Sequence, residues 1–489
     1  MRQVDPVPSR VSRLHARRSF ARQRATPTLR PGTVTAGRTT RLHLVVLALI
    51  AASAVLRGVA WAAALPAWQG PDEQAHYAYV ERLASGELPP LQSDRAHRLS
   101  AAVERSELAA ALEPFRDRTL DRPFAAPQRS ALPGEPPGLP TDGVGALGAT
   151  NYPPAYYALG LAAYALPGLE TARARLFALR TVSALLAGLL VVTTFLLVRE
   201  LAGPGLGLAG AALVSLPPMV GQASGIANPD VLTAAATGGF AWALLRLRRA
   251  PTARACWVQA LAWALLALLT KPPAPLAIGS LVAGLALVPL LARSRRAAAL
   301  VVGACAAGGA ALALLGLLGG VERRANLSLA SRYLVGFYLE PGREGPPRAW
   351  SVWVESGVGG FGLHSVWLPQ WSYALAAAVV VAGAAAALAG LARDPERRHA
   401  HVLIGVAAAG ALYVAGLHAL EAAELIRGRP TVLQGRYLLP LAPVAVAVFL
   451  GGCATLPRRA RVAAVGAVTA AWALLGLLGL AATVEYFAA

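Results

Sequence analysis

The sequence predicts an all-α fold, a polytopic transmembrane helical bundle, and three observations carry that prediction. Of 489 residues, 56% are hydrophobic and only 14% charged, more apolar surface than one soluble core can hide. Many stretches run about 20 residues with little or no charge, the length a helix needs to cross roughly 30 Å of hydrocarbon. These stretches are Leu/Ala runs without the alternation of a barrel strand. Of the two backbones that satisfy themselves in lipid, helices therefore remain.

Apolar segments fall near 42–64, 152–168, 177–198, 205–221, 230–247, 256–270, 273–292, 298–320, 371–392, 401–418, 437–456 and 462–483. Ahead of them lies a tail, 1–41, with ten arginines and little that could pack. A formal net charge of +20 in a soluble chain would suggest nucleic acid. Here the charge sits in the tail and in short loops between apolar segments, which excludes nucleic acid as a partner and reads as a topology signal beside anionic membrane lipids. Segment 42–64 is longer than a signal-peptide core and is read as a retained first helix, with the N-terminus cytoplasmic.

The positive-inside rule then decides the count. With the tail inside, 65–151 is a long outer loop. If 152–168 crosses, the arginines at 246–254, 293–296, 393–398 and 458–461 all fall outside; if it does not, all fall inside. This segment opens at Tyr152-Pro153-Pro154 and ends at Pro167-Gly168, short for a span, and is read as a re-entrant or juxtamembrane helix. About eleven crossings follow, within a membrane domain at 42–489, with a second outer loop at 321–370 and the C-terminus outside. This parity requires Lys271-Pro272-Pro273 to make a tight outer hairpin. Cys256, Cys305 and Cys453 show no metal or disulfide spacing and are read as small core residues.

The candidate chemistry gathers on the outer side. Asp72 and Glu73 follow Pro71, which is both a normal helix start and a way to place a general base just above the membrane. His76 is four residues beyond Asp72 and shares its helix face. Asn228-Pro229-Asp230 opens the segment at 230–247 in the same manner: a cap, or a second acid at the site. Lys271 is the one lysine among 45 Lys and Arg residues, a compact ammonium where the chain otherwise uses arginine. Arg436 and Arg180 sit at outer boundaries against the positive-inside trend, suited to gripping phosphate, to snorkelling or to pairing with an outer-loop acid. Trp350, Trp353, Trp367 and Trp371 are read as interfacial anchors.

Five motifs recur in combination. They are Pro71-Asp72-Glu73-Gln74-Ala75-His76-Tyr77, Asn151-Tyr152-Pro153-Pro154-Ala155-Tyr156-Tyr157, the run Arg173 to Arg180, Asn228-Pro229-Asp230, and Gln434-Gly435-Arg436-Tyr437. Spread over most of 42–456, they resemble the GT-C superfamily of membrane glycosyltransferases, and within it the domain-of-unknown-function 2142 family. That resemblance implies transfer of a sugar from a polyprenyl-phosphate donor to an envelope glycan, lipid or protein acceptor on the non-cytoplasmic face. It implies Asp72 as the base of an inverting transfer, with Glu73 beside it as a second catalytic carboxylate. Lys271 and Arg436 would hold the leaving phosphate. Substrate-binding roles extend to His76, Tyr152, Arg180, Asn228, Asp230 and Tyr437. For Glu73, His76 and Asp230 the resemblance implies either shaping the acceptor side or binding a divalent metal, with no other cofactor. Two other classes fit the same motifs, a lipid-linked-glycan transporter or flippase and a non-catalytic envelope scaffold. Arg57, the one clear mid-helix charge, is too little for a transport pathway.

Overall fold

The computed structural model describes residues 41–87, 100, 103, 149, 152–293, 329, 332–342, 345–362, 365–393, 398–427 and 433–488. Residues Met1–Leu42 and His43–Ala489 are separate units, and the helices lie in the second apart from the first two residues of the opening one. The expected crossing at 298–320 and most of the loop at 65–151 lie outside the described residues.

Among the described residues the fold is all-helical apart from a two-stranded antiparallel ribbon, Pro341–Gly342 with Gly345–Pro347, and an isolated bridge between Phe361 and Val366. Helix α1 is Arg41–Ala64, α2 Glu73–Ala84, α3 Ala155–Tyr164 and α4 Ala172–Ala202. Helices α5 (Pro204–Ser215) and α6 (Pro218–Ser224) follow, then α7 (Asp230–Arg249), α8 (Arg254–Leu268) and α9 (Ala274–Arg293). Beyond a π-helical turn at Trp350–Glu355 come α10 (Gln370–Ala392) and α11 (Arg398–Ile426). A 3-10 turn at Gly435–Leu441 leads into α12 (Ala442–Cys453), and α13 (Arg458–Ala488) closes the bundle.

Six helical stretches are long and apolar enough to span a membrane: α1, α4, α10, most of α11, the 3-10 turn with α12, and α13. The pair α5 and α6, bent by 72°, makes a seventh if it is one broken span. This is a multi-pass membrane protein, with fewer such helices among the described residues than the eleven crossings read from the sequence. Of the remaining expected crossings, the one at 298–320 lies outside the described residues, and two others fall short for physical reasons. Helix α7 starts on Asp230 and ends in Arg246, Arg248 and Arg249, and α8 has only 15 residues.

Three local features position the site. Helix α3 has 10 residues, roughly 15 Å at 1.5 Å per residue, half of what a crossing needs. Its first N–H, from Ala155, donates to Leu269 O at 2.8 Å, which ties it to the hairpin after α8. That hairpin is tight, with Ala274 N–H donating to Lys271 O at 3.0 Å. The third feature is the α5–α6 break at Pro217-Pro218. Proline removes N–H groups that would continue the ladder, and at the resulting bend the guanidinium of Arg57 in α1 donates to the carbonyls of Ser215 and Pro217, the latter at 3.1 Å. Long helix α4 packs against α5, α7 and α12 through Leu190, Val191, Phe195 and Val198, all buried.

Candidate functional site

The segment between α1 and α2 is braced from below. Glu73 and Arg180 are both buried, and Arg180 grips the carboxylate with two bonds, Nε to Oε1 at 2.8 Å and NH2 to Oε2 at 2.6 Å. The remaining carboxylate capacity is filled by backbone N–H groups of Trp68 at 3.0 Å and Ala227 at 2.9 Å. Arg180 also donates to the carbonyls of Ala62, Leu65 and Pro66 at 2.9, 2.6 and 2.7 Å. This pair thus staples α1, α2, α4 and the approach to α7 together.

Its neighbour Asp72 is held quite differently. Its backbone lies in the left-handed region, φ 61° and ψ 14°, and its side chain makes no cap bond to α2. For a non-glycine residue this is a sparsely populated conformation, of the kind that clusters at functional sites. The carboxylate is turned instead toward Arg436, whose NH2 donates to Oδ2 at 2.8 Å. The Asp72 side chain is 56% exposed and that of Arg436 only 8%.

Behind Arg436 lies a second, buried pair. Asp230 Oδ1 accepts from the Lys271 ammonium, and Asp230 Oδ2 stands 3.9 Å from Arg436 NH1. Asn228 Oδ1 accepts the Asp230 backbone N–H at 2.7 Å, which sets the first turn of α7, where the dipole favours the carboxylate. Both cations lie over the ring of Tyr437, Lys271 Nζ at 5.3 Å and Arg436 Cζ at 5.5 Å from its centroid. The four charges form a chain, Asp72–Arg436–Asp230–Lys271, drawn from four separate stretches of sequence. Three buried polar atoms in it lack partners: Asn228 Nδ2, Asp230 Oδ2 and Arg436 Nε. A cavity of about 10 Å³ beside them is lined by Asp230, Arg436, Gln222, Ser356 and Gln434, enough for about one water.

His76 is buried one turn beyond Asp72, with Nδ1 bonded to Tyr157 Oη at 2.7 Å and the Tyr152 ring edge-on at 5.1 Å. Burial outweighs the nearby Asp72 carboxylate and pushes the His76 pKa down to about 4, so the imidazole is neutral at pH 7. For Asp72, enclosure works to raise the pKa, but Arg436 above all, with His76 and Lys271, holds it below the usual carboxylate value. Burial lowers the Lys271 ammonium against the pull of Asp230, and burial raises the Tyr152 phenol.

The structure brings Asp72, His76, Tyr152, Asn228, Asp230, Lys271, Arg436 and Tyr437 into one cluster, and sets Glu73 and Arg180 immediately beneath it as a pair closed on itself. Lys271 and Arg436, expected as cations waiting for phosphate, are each engaged by a carboxylate. Among the described residues no group of three His, Cys, Asp or Glu side chains could hold a metal ion. Two contributors escaped the sequence reading. Tyr157 orients His76 and lay within the Tyr-Pro-Pro motif. Ser356, whose Oγ accepts the Gly435 N–H at 2.8 Å, fixes the turn carrying Arg436 and has no sequence signal.

Fold and cluster together define a multi-pass helical membrane protein with a buried polar site at one end of its bundle. Residues 55–328, more than half of the chain, match the family described as predicted membrane protein (DUF2142), and the chain belongs to that family. It is also similar to two solved structures of an oligosaccharyltransferase from Archaeoglobus fulgidus. The apo form matches over 90% of this chain at 16% identity with a TM-score of 0.44. The complex of AglB with an inhibitory peptide and a dolichol-phosphate matches over 91% at 16% identity with a TM-score of 0.39. This chain spans 56% of each of those chains. No curated protein matches it.

Proposed function

We propose that this protein is a membrane glycosyltransferase of the GT-C type, moving a sugar from a polyprenyl-phosphate carrier to a cell-envelope acceptor on the non-cytoplasmic face. The observation that carries the reading is Asp72: an ionised carboxylate on a left-handed residue, half-exposed, against a buried arginine. In this reading Asp72 takes the proton of the acceptor hydroxyl as its oxygen attacks the anomeric carbon. The bond from that carbon to the phosphate oxygen breaks with inversion, and the polyprenyl phosphate departs with the bonding pair. Arg436 and Lys271 stabilise the charge that develops on the leaving phosphate. Tyr152 and Tyr437 flank the sugar, and His76 and Asn228 orient the neighbouring carboxylates. Glu73 and Arg180 act as positioning residues, because every strong acceptor site on Glu73 is already filled.

A transporter would call for charges along a pathway. Arg57 is occupied by the carbonyls of the α5–α6 break, and nothing specific favours transport. Purified protein incubated with labelled polyprenyl-phosphate sugars and extracted envelope acceptors tests the proposal. Label moves to the acceptor with the wild type, and Asp72→Asn abolishes transfer by roughly a hundredfold or more. Label crossing the bilayer without transfer, or full activity in the variant, overturns it.

A further inference from the structure

The charge chain at the site contains its own answer to an anion. Two carboxylates, Asp72 and Asp230, balance two cations, Arg436 and Lys271, and buried neutral His76 adds nothing. The cluster therefore offers a phosphate no net positive charge as it stands. Yet its members are not equally committed. Asp230 and Lys271 have side chains 3% and 4% exposed, whereas that of Asp72 is 56% exposed. Asp72 holds Arg436 by one bond, and its side chain makes no cap bond to α2 that would fix it there.

Arg436 is also under-used. Its Nε is buried without a partner, its NH1 reaches only Pro71 O at 3.5 Å, and Asp230 Oδ2, equally without a partner, lies just beyond bonding distance at 3.9 Å. A guanidinium with an unspent donor, anchored over Tyr437 and next to an unspent acceptor, keeps its place when Asp72 leaves. The exposed member of the pair is the carboxylate.

We infer that Asp72 is a resident stand-in for a phosphate: a phosphate ester reaching this site displaces Asp72 from Arg436, and the released carboxylate turns toward the acceptor. Built on the transferase reading, this makes donor binding the event that frees the base. The order is donor first, then acceptor activation. It also explains why an arginine that would otherwise attract any small anion is kept covered between turnovers.

The test is equilibrium binding of two probes, inorganic phosphate and farnesyl phosphate, to the full chain in lipid nanodiscs. Removing the stand-in should strengthen binding, contrary to the usual effect of a site mutation. Asp72→Asn and Asp72→Gly both suit a left-handed backbone and each is expected to bind phosphate at least about tenfold tighter than wild type. Adding Arg436→Gln to either should cancel the gain. A gain larger for farnesyl phosphate identifies a lipid-linked ligand; an equal gain identifies the phosphate group alone, and both support displacement. Unchanged or weaker binding in both single variants overturns it. Sugar transfer is measured separately. A gain in affinity without any transfer leaves this inference standing and sinks the transferase reading, while Asp72-dependent transfer with no gain does the reverse.

Discussion

Asp72 and Glu73 are adjacent acids at the start of one helix, and the fold gives them opposite tasks. Removing Glu73 leaves Arg180 buried without its counter-ion, so Glu73→Ala should lower stability by about 3–5 kcal/mol, read as a large drop in thermal unfolding in detergent. Asp72→Asn should unfold at the wild-type temperature. A second prediction concerns acid. The folded-state pKa of His76 lies near 4 against an ordinary 6.5, so the unfolded chain takes up its proton first as pH falls. Stability from this residue is full above pH 6.5 and is lost on the way down to pH 4, by about 3 kcal/mol, and His76→Gln should flatten that slope. For Asp72, held low chiefly by Arg436, the base form persists at mildly acidic pH. The acid limb of transfer activity should therefore lie below the usual carboxylate range and rise by about one unit or more in Arg436→Gln. Both acids were legible in the sequence as candidates; their division was not. What separates them is an arginine 107 positions away in the chain, and no local pattern reports that.

At the scale of elements, apolar length was readable and breaks were not. The run at 205–221 reads as one crossing, yet Pro217-Pro218 splits it into α5 and α6 at 72°. Arg57, which looked like a lone intramembrane charge, is what makes the split tolerable. Arg57→Leu should strand the Ser215 carbonyl, since that of Pro217 still accepts the Gly221 N–H, and destabilise the protein by about 1–3 kcal/mol, measurable as a lowered unfolding temperature. Close helix pairing follows the same logic of small residues. A Cβ on Gly390 of α10 would strike the Gly452 carbonyl of α12, so Gly390→Val should loosen that pair. The short helix α3 was legible, because its flanking prolines and the arginine count agreed. The Lys271 hairpin, on which the parity depends, forms as two prolines between short helices suggest.

For the whole molecule, the site and the arginines stand at opposite ends of α7. Asp230 opens that helix and Arg246, Arg248 and Arg249 close it, and its 20 residues separate them by about 30 Å, one hydrocarbon thickness. Single cysteines placed at 246–254 and 393–399 should be labelled only from the cytoplasmic side, and a cysteine at Gly86 only from the outer side. Labelling of all three from one side would rule out the orientation proposed here. The charge asymmetry of the sequence is what predicts this orientation. That Asp72, Asp230, Lys271 and Arg436 share one face was readable as well; their pairing into an alternating chain of charges was not, because it depends on how four separate stretches converge.

The brace beneath the site also bears on how the chain is made. Synthesis delivers Glu73 before Arg180 and Arg180 before Ala227, the three contributors to one buried bond network. When α4 first enters the bilayer, its guanidinium has only the earlier carboxylate and the end of α1 to meet. The bond network around Glu73 is therefore complete only once the approach to α7 has been made. Truncated nascent chains ending before residue 227 should leave the segment around Glu73 open to protease, and chains extending beyond α7 should protect it. A single ion pair would in this way set the order in which the membrane domain closes.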